Sequence, residues 1–264
     1  MMIAEHSVDR AFNLNAGIAD ENLQALVVLG RSLLRLPTDP VVPTSAMALL
    51  LGVPELAAAL TSDQPREGLC TLHETQRFLD CRPDTPSVRK AITLKVNGSS
   101  DVAQYNVTLP ETGEAMETRL RYVPKETVRA TKAPHFHGRL CSDGALRLQT
   151  LPLSAARLGE YVALAGDANP IHVDRTAAKH AGFEDVIAPG MMLCILAEMA
   201  CCKAMQIARM EEVRARFLSP ALAGQPVTMI FAPTSGGPRA KMRVFVVGPR
   251  EELHAIVDFF SARF

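Results

Sequence analysis

The chain has 264 residues, of which 48% are hydrophobic and 21% are charged, and its 28 basic and 28 acidic side chains give no net charge. This composition is typical of a globular protein that buries a sizeable core, and the length allows one large or two small domains. Nucleic-acid-binding proteins normally carry a basic excess, so the composition disfavours that class. No apolar stretch reaches the roughly 18 residues that a membrane span requires.

Cysteine usage and the N-terminal sequence predict a cytoplasmic protein. The 6 cysteines form no C-x-x-C pair, and Cys201 and Cys202 lie in an apolar helical pattern where buried, reduced thiols are expected. The first residues are charged where a signal peptide would be apolar. The final Ser-Ala-Arg-Phe is a poor match to the peroxisomal S-K-L signal, which leaves a peroxisomal location as the alternative.

The first half is predicted to contain helices followed by strands. Asp20 is expected to cap a helix that ends just before Gly30, and Pro54 interrupts a second, apolar helical segment. Beyond Gly68 the pattern changes to strands separated by Pro, Gly, Asp and Ser, at residues 69–80, 88–98, 103–111 and 116–124. The basic stretch after Pro124 is predicted to be an irregular linker.

The second half repeats this plan. After a strand at residues 145–151, Ser154 is a good N-cap for a helix, and Gly166 suits the position just past its end. Asp174 is expected to cap a short helix. Gly190 then begins a long apolar helix, and four strands follow it with Gly and Pro between them.

Two short matches favour an internal duplication. Residues 41–43 and 186–189 both precede an apolar helix, and Arg-Phe-Leu occurs at residues 77–79 and again at 216–218. The helix at residues 190–207 is apolar on nearly every side, so it cannot lie on a surface. Four or five strands curling around it would cover it.

The loop after residue 166 carries an acid, an amide and an imidazole within six residues: Asp167, Asn169 and His172. A carboxylate and a histidine on one tight loop can converge on a single water and exchange a proton with it. Asp and Asn before proline also form ordinary turns, and His172, between Ile and Val, also fits a buried core position. The loop by itself leaves both interpretations open.

Gly190 favours the catalytic interpretation. The first N–H groups of a helix lack partners within the helix, and the helix dipole makes that end positive. A glycine there lets a ligand approach the backbone, which suits a carbonyl oxygen that gains charge during a reaction. The alternative is a Pro-Gly turn that simply precedes a core helix.

These residues together resemble a known family. The run from Tyr161 to His172, Y-x-x-L-A-G-D-x-N-P-I-H, resembles the hydratase-2 signature of the MaoC-like dehydratases, which have the hotdog fold. Residues 188–191 (Ala-Pro-Gly-Met) resemble the start of the family's hotdog helix, and residues 216–220 (Arg-Phe-Leu-Ser-Pro) resemble its next strand. The specific resemblance covers roughly residues 145–264.

The first half is similar to the family mainly in the order of its predicted helices and strands. Residues 72–76 (Leu-His-Glu-Thr-Gln) resemble the family's L-H-G-E-Q, with Glu in place of Gly. No G-D-x-N-P-x-H occurs before residue 150, and Thr44 is expected to correspond to Gly190. A half without the catalytic motif could open its helix at Pro54 and make room for an acyl chain.

The resemblance implies an α+β protein with two hotdog folds in tandem, each an antiparallel sheet wrapped around a central helix. Residues 1–124 would be a degenerate hotdog that binds the acyl chain, residues 125–144 a linker, and residues 145–264 the catalytic MaoC-like hotdog. A homodimer is an expected assembly, and one chain could also act as its own pseudo-dimer.

The resemblance also implies reversible (R)-specific hydration of trans-2-enoyl thioesters to 3-hydroxyacyl thioesters of CoA or acyl carrier protein. Asp167 and His172 would be catalytic, Asn169 would support them, and the Gly190 N–H would stabilise the oxyanion. No cofactor and no metal would be required beyond the carrier group of the substrate. The sequence does not assign the base between the two members of the pair.

Two other functions compete with this one. A hotdog acyl-thioesterase would use the same helix start with a carboxylate on the helix, where Glu198 is available; a non-catalytic protein would only bind acyl thioesters. His135 and His137 lie in the linker without an acidic or cysteine partner and are expected at the surface. Basic residues near the motif that could meet phosphates, or form a solvated face, are Arg157, Arg175, Lys179 and Lys203.

Overall fold

The computed structural model describes residues 6–9, 16–37, 43–50, 52, 69–80, 93–98, 102–109, 113–130, 132–234 and 240–261. The helices are α1 (Ala16–Leu34), α2 (44–50), α3 (Lys125–Ala130), α4 (Ala155–Ala165), α5 (Arg175–His180) and α6 (Gly190–Met205). The strands are β1 (His6–Asp9), β2 (Leu69–Leu79), β3 (Thr93–Gly98), β4 (Val102–Leu109), β5 (Gly113–Pro124), β6 (Arg147–Gln149), β7 (Glu212–Phe217), β8 (Thr228–Thr234), β9 (Ala240–Val247) and β10 (Leu253–Ser261).

Within the described residues, the strands form one antiparallel sheet in the order β1-β3-β4-β5-β2-β7-β10-β9-β8-β6. Read from its two edges, the sheet gives the same order twice: β1, β3, β4, β5, β2 and β6, β8, β9, β10, β7. The two halves join where β2 pairs with β7, with Thr75 opposite Arg216 and Leu79 opposite Glu212. This repeated order supports the predicted duplication, since β2 and β7 carry the two Arg-Phe-Leu matches.

Helix α6 lies inside the curve of the second half and packs against β7, β8, β9 and β10. Eleven of its residues, from Met192 to Cys202, are buried, as the all-round apolar pattern predicted. Cys201 and Cys202 are both buried thiols that form no disulfide, also as predicted.

Helix α2 is the counterpart of α6 in the first half. Its residues Ala46 and Ala48 have no exposed surface, and Gly52, which is also helical, faces Met116 on β5 and Val107 on β4. A sheet that curls around a central helix, present once in each half, is the tandem hotdog arrangement. The predicted α+β fold class is therefore confirmed.

The caps predicted in the second half are confirmed. The Ser154 hydroxyl accepts from the Arg157 N–H, and α4 ends where Gly166 adopts a left-handed conformation (φ 70°). The Asp174 carboxylate accepts from two backbone N–H groups at the start of α5. These caps involve residues within four positions of each other, which is why the sequence alone predicted them.

Two predictions at the N-terminus were wrong. Helix α1 begins at Ala16, before Asp20, and runs past Gly30 to Leu34. A Cβ at Gly30 would lie 2.5 Å from Met199 Sδ, so this glycine lets α1 approach α6 closely instead of ending the helix. Residues 6–9 form a strand paired with β3, which the largely helical reading of this region missed. Pro54 lies outside the described residues.

The linker is more ordered than predicted. Residues Lys125–Ala130 form α3, which packs against β2 and β5. Phe136 is 2% exposed and contacts a second apolar cluster that includes Ile230 and Phe245. Tertiary contacts, which a basic and Pro-containing stretch does not reveal, hold this segment in place.

Candidate active site

The loop that connects α4 to α5 is shaped by its own side chains. The Asn169 N–H donates to Asp167 Oδ1 at 3.0 Å, and the Ile171 N–H donates to Asn169 Oδ1 at 3.3 Å. Residues Pro170–His172 then form a single 3-10 turn. The Asx turns considered from the sequence are therefore present, and they leave Asp167 Oδ2 directed at His172.

The imidazole of His172 is buried, with 8% of its surface exposed. Its Nδ1 lies 2.8 Å from the carbonyl oxygen of Ile187, and a carbonyl can only accept, so Nδ1 carries a proton. In the neutral ring Nε2 then has a lone pair. Nε2 lies 3.7 Å from Asp167 Oδ2, which is too far for a direct hydrogen bond but suits a shared water.

Gly190 is the first residue of α6, and the ring of Phe217 packs directly against it. A Cβ at this position would lie 2.7 Å from Phe217 Cε1 and 2.9 Å from Cζ. Real Cβ contacts are not that short, so any larger residue here would displace the Phe217 ring. The Ile187 carbonyl that holds His172 is three residues before Gly190, which keeps the loop with the candidate pair beside the start of α6.

A protein-family model matches the part of the chain that contains the candidate pair and Gly190. Residues 142–252 match the model for the MaoC-like domain. This part of the chain is therefore similar to a MaoC-like domain. No curated protein sequence matches the chain.

Solved structures with the same fold extend the similarity to both halves. A MaoC-like dehydratase is 16% identical and has a TM-score of 0.68, covering 98% of this chain and 97% of its own. HtdX from Mycobacterium tuberculosis is 19% identical, with a TM-score of 0.64 and coverages of 97% and 99%. Full-length peroxisomal multifunctional enzyme type 2 from Drosophila melanogaster is 17% identical, with a TM-score of 0.59, and the match covers 96% of this chain and 48% of that protein. At these identities the similarity concerns the fold alone.

Tyr161 lies between the loop that carries the candidate pair and helix α6. The ring is 2% exposed, and burial raises the pKa of its hydroxyl well above the ordinary value, helped by the negative charge of Asp167; Cys194, a neutral thiol, also lies within electrostatic range of this hydroxyl. Cys194 is one turn into α6, so Tyr161 lies between the loop and the helix start. The sequence offered Tyr161 as the first residue of the signature, but it gave no role for it.

The first half brings His73 to the same place. The His73 ring packs against Phe217 with 4.4 Å between centroids, on the residue that itself covers Gly190. Burial lowers the pKa of His73 to about 4, with a smaller contribution from the nearby His172, and the hydrogen bond to Gln76 opposes the shift. The Leu-His-Glu-Thr-Gln match pointed to this segment, but only the β2–β7 pairing shows that it meets the second half.

Glu198 occupies the start of the other central helix. Its carboxylate accepts from the Thr44 N–H at 2.7 Å, from the Ser45 N–H at 2.9 Å and from the Ser45 hydroxyl at 2.5 Å. Thr44 is the first residue of α2, as expected for the counterpart of Gly190. The helix start of the first half is therefore filled by a side chain of the second half.

Two of the four basic residues near the motif form ion pairs with neighbouring acids. Arg157 contacts Glu160 at 2.8 Å, and Arg175 makes two bonds to Asp185 at 2.9 and 2.8 Å. Lys179 also lies within electrostatic range of Asp185. These contacts match the solvated charged face considered from the sequence.

Within the described part of the chain, no group of three or more His, Cys, Asp or Glu side chains could hold a metal ion. The rings of His135 and His137 pack edge to face at 5.1 Å, and both residues are exposed. Among the helices described, none is long and apolar enough to cross a membrane.

Proposed function

We propose that the chain catalyses reversible (R)-specific hydration of trans-2-enoyl thioesters to 3-hydroxyacyl thioesters, carried on CoA or acyl carrier protein. The observation that carries the proposal is the pair of Asp167 Oδ2 and His172 Nε2, 3.7 Å apart beside the start of α6. The similarity of residues 142–252 to a MaoC-like domain supports it, as do the names of the dehydratase structures with the same fold.

The pair is suited to holding the attacking water. A water about 2.8 Å from each atom would donate one hydrogen to Asp167 Oδ2 and the other to His172 Nε2, leaving its lone pairs free. The oxygen attacks C3 of the enoyl group, the pair takes one proton, and a proton returns to C2 from the same face. The Ile187 carbonyl keeps the accepting nitrogen of His172 directed at this water.

The start of α6 is suited to the charge that develops on the thioester. As the C3–O bond forms, the thioester oxygen gains enolate character and accepts from the Gly190 N–H. Phe217, packed on Gly190, excludes water from one side of this donor. Loss of one such donor in other enzymes costs about 3–4 kcal/mol of transition-state stabilisation.

The burial and the hydrogen bonds of Glu198 weigh against the thioesterase alternative. A thioesterase base needs a carboxylate that reaches substrate or water. Glu198 has no exposed surface, and its two oxygens accept three hydrogen bonds from the start of α2. The pair on the loop, with Asp167 26% exposed, is the acid/base group that a substrate can reach.

We also propose that the first half receives the acyl chain. This half keeps a helix on a sheet but has no acid/base pair, and small residues such as Ala46 and Ala48 lie in its core. Adding methyl groups there, as in Ala46→Val, should shorten the preferred chain while the thermal stability of the variant is monitored. An unchanged chain-length profile in a folded variant would contradict this assignment.

The deciding experiment uses a matched set of enoyl-CoA and enoyl-carrier-protein substrates of several lengths. Hydration removes the enoyl absorbance without freeing a thiol, and chiral analysis of the product should give the (R)-3-hydroxyacyl form. Hydrolysis frees a thiol and would favour the thioesterase. Neither reaction with any substrate would leave acyl-thioester binding as the function.

Substitutions in the pair provide the second part of the test. Asp167→Asn and His172→Ala should each lower the rate by about 10²–10⁴-fold. The matched controls are Glu160→Gln and His180→Ala, which change an exposed carboxylate and an exposed imidazole of the same half and should leave the rate unchanged. Near-full activity in either variant of the pair would remove the proposed mechanism.

A further inference from the structure

A β-bulge on β2 brings two polar side chains of the first half to the inner face of the sheet. His73 pairs with Leu120 and Thr75 pairs with Arg119, so Glu74 is the extra residue between them. Glu74 turns outward to Arg119 and Arg121, whereas His73 and Gln76 both face inward. Bulges of this kind commonly redirect side chains next to functional sites.

The inward His73 is held by a hydrogen-bonded anchor. Its Nε2 lies 3.1 Å from Gln76 Oε1, and the same oxygen accepts from the Thr118 hydroxyl at 2.8 Å. Gln76 is 1% exposed and Thr118 has no exposed surface. Because an amide oxygen only accepts, Nε2 carries a proton, and the ring orientation of His73 is fixed from the β5 side.

The His73 ring also contacts Phe217. The two centroids are 4.4 Å apart, and the rings are inclined by 51°. The edge of Phe217 in turn leaves no room for a Cβ on Gly190. Thr118, Gln76, His73, Phe217 and Gly190 therefore form one continuous column from the core of the first half to the start of α6.

We propose that His73 is a positioning residue for the active site of the other half: it holds Phe217 against Gly190 and so fixes the helix-start N–H that receives the enolate oxygen. The inference rests on the proposed hydration. It also gives the first half a role in catalysis that differs from holding the acyl chain. The protonation of the ring agrees with this role, since its pKa of about 4 keeps it neutral beside His172 near neutral pH.

The test combines kinetics with a measurement that needs no activity. In a protein labelled with 15N at its 16 glycines, the Gly190 amide signal reports the position of the adjacent Phe217 ring. His73→Ala should shift this signal and lower kcat by about 10- to 100-fold with little change in KM, because a misplaced transition-state donor affects kcat. His73→Phe keeps a ring against Phe217 and should restore most of kcat and of the signal position. The exposed His137→Ala is the matched control and should change neither.

Each outcome has a defined meaning. An unshifted Gly190 signal in His73→Ala would overturn the positioning role, whatever the kinetics. A shifted signal with unchanged kcat would overturn it too, and so would His73→Phe behaving like His73→Ala in both measurements. If His73→Ala does not fold, His73→Phe and Phe217→Leu take its place: positioning requires the first to resemble the wild type and the second to lose kcat. If the wild-type protein hydrates no substrate, the proposed function fails, and the Gly190 signal alone decides whether His73 fixes the helix start.

Discussion

Replacing Glu198 by glutamine should destabilise the protein by about 2–4 kcal/mol, although the two side chains have nearly the same shape. The carboxylate accepts three hydrogen bonds from Thr44 and Ser45 and has no contact with solvent. A glutamine can offer only one oxygen to these donors. Its NH2 group then faces at least one N–H that has no other partner.

The magnitude follows from the number and kind of donors. One buried N–H left unsatisfied costs about 1–3 kcal/mol, and each bond that loses its charged acceptor weakens by about 1 kcal/mol. Relief of the buried charge offsets part of this sum. Glu198→Leu should cost more than Glu198→Gln, because two of the three donors are backbone N–H groups that no apolar side chain can satisfy.

Urea unfolding of the purified variants measures these differences. Glu160→Gln removes an exposed carboxylate that pairs with Arg157, and as the matched control it should change the free energy of unfolding by less than about 1 kcal/mol. Combining Glu198→Gln with Ser45→Ala should show a coupling of about 0.5–3 kcal/mol. Glu198→Gln and Glu198→Leu both lying within about 0.5 kcal/mol of the wild type would refute the assigned hydrogen bonds.

Three further outcomes are expected. Gly190→Ala should cost about 1–3 kcal/mol of stability and lower kcat, because the added Cβ overlaps Phe217. Adding Phe217→Leu should recover the stability. A Gly190→Ala variant with wild-type stability would contradict the close contact. The pKa of His73 is about 4 in the folded protein and about 6.5 in the unfolded chain, so the unfolded state binds more protons between these pH values. The free energy of unfolding should therefore fall as the pH drops from about 6.5 towards 4, by at most about 1.4 kcal/mol per pH unit. His73→Phe should reduce that slope in urea unfolding at pH 7 and pH 5, and an equal slope would count against the shift. Gly166→Ala should cost about 1 kcal/mol, measured by thermal unfolding, since its φ of 70° strains any residue with a Cβ; no loss would mean that the helix end relaxes.

The caps, the strands and the catalytic signature could be predicted because each depends on residues that are close in sequence. Ser154 and Asp174 accept from N–H groups two or three residues ahead, and Gly166 ends a helix by its own backbone conformation. Alternation of apolar and polar residues gave the strands after residue 68. The acid, amide and imidazole at residues 167–172 likewise identified the loop that carries the candidate pair.

Long-range contacts decided the features that the sequence did not predict. Gly30 looked like a helix end but lies inside α1, because Met199 occupies the space that a side chain would need. Glu198 was a candidate base in the sequence, yet its partners, 154 and 153 residues away, make it a cap for α2.

The candidate site also combines features that depend on neighbouring residues with features that depend on long-range contacts. The sequence by itself determined which residues form the candidate acid/base pair and that Gly190 begins the adjacent helix. Only the tertiary structure decided how they are held: the Ile187 carbonyl fixes the His172 ring, and the β2–β7 pairing brings His73 to Phe217. Local patterns specify hydrogen bonds within a turn, whereas the partner of a side chain across two halves depends on how the sheet closes around both central helices.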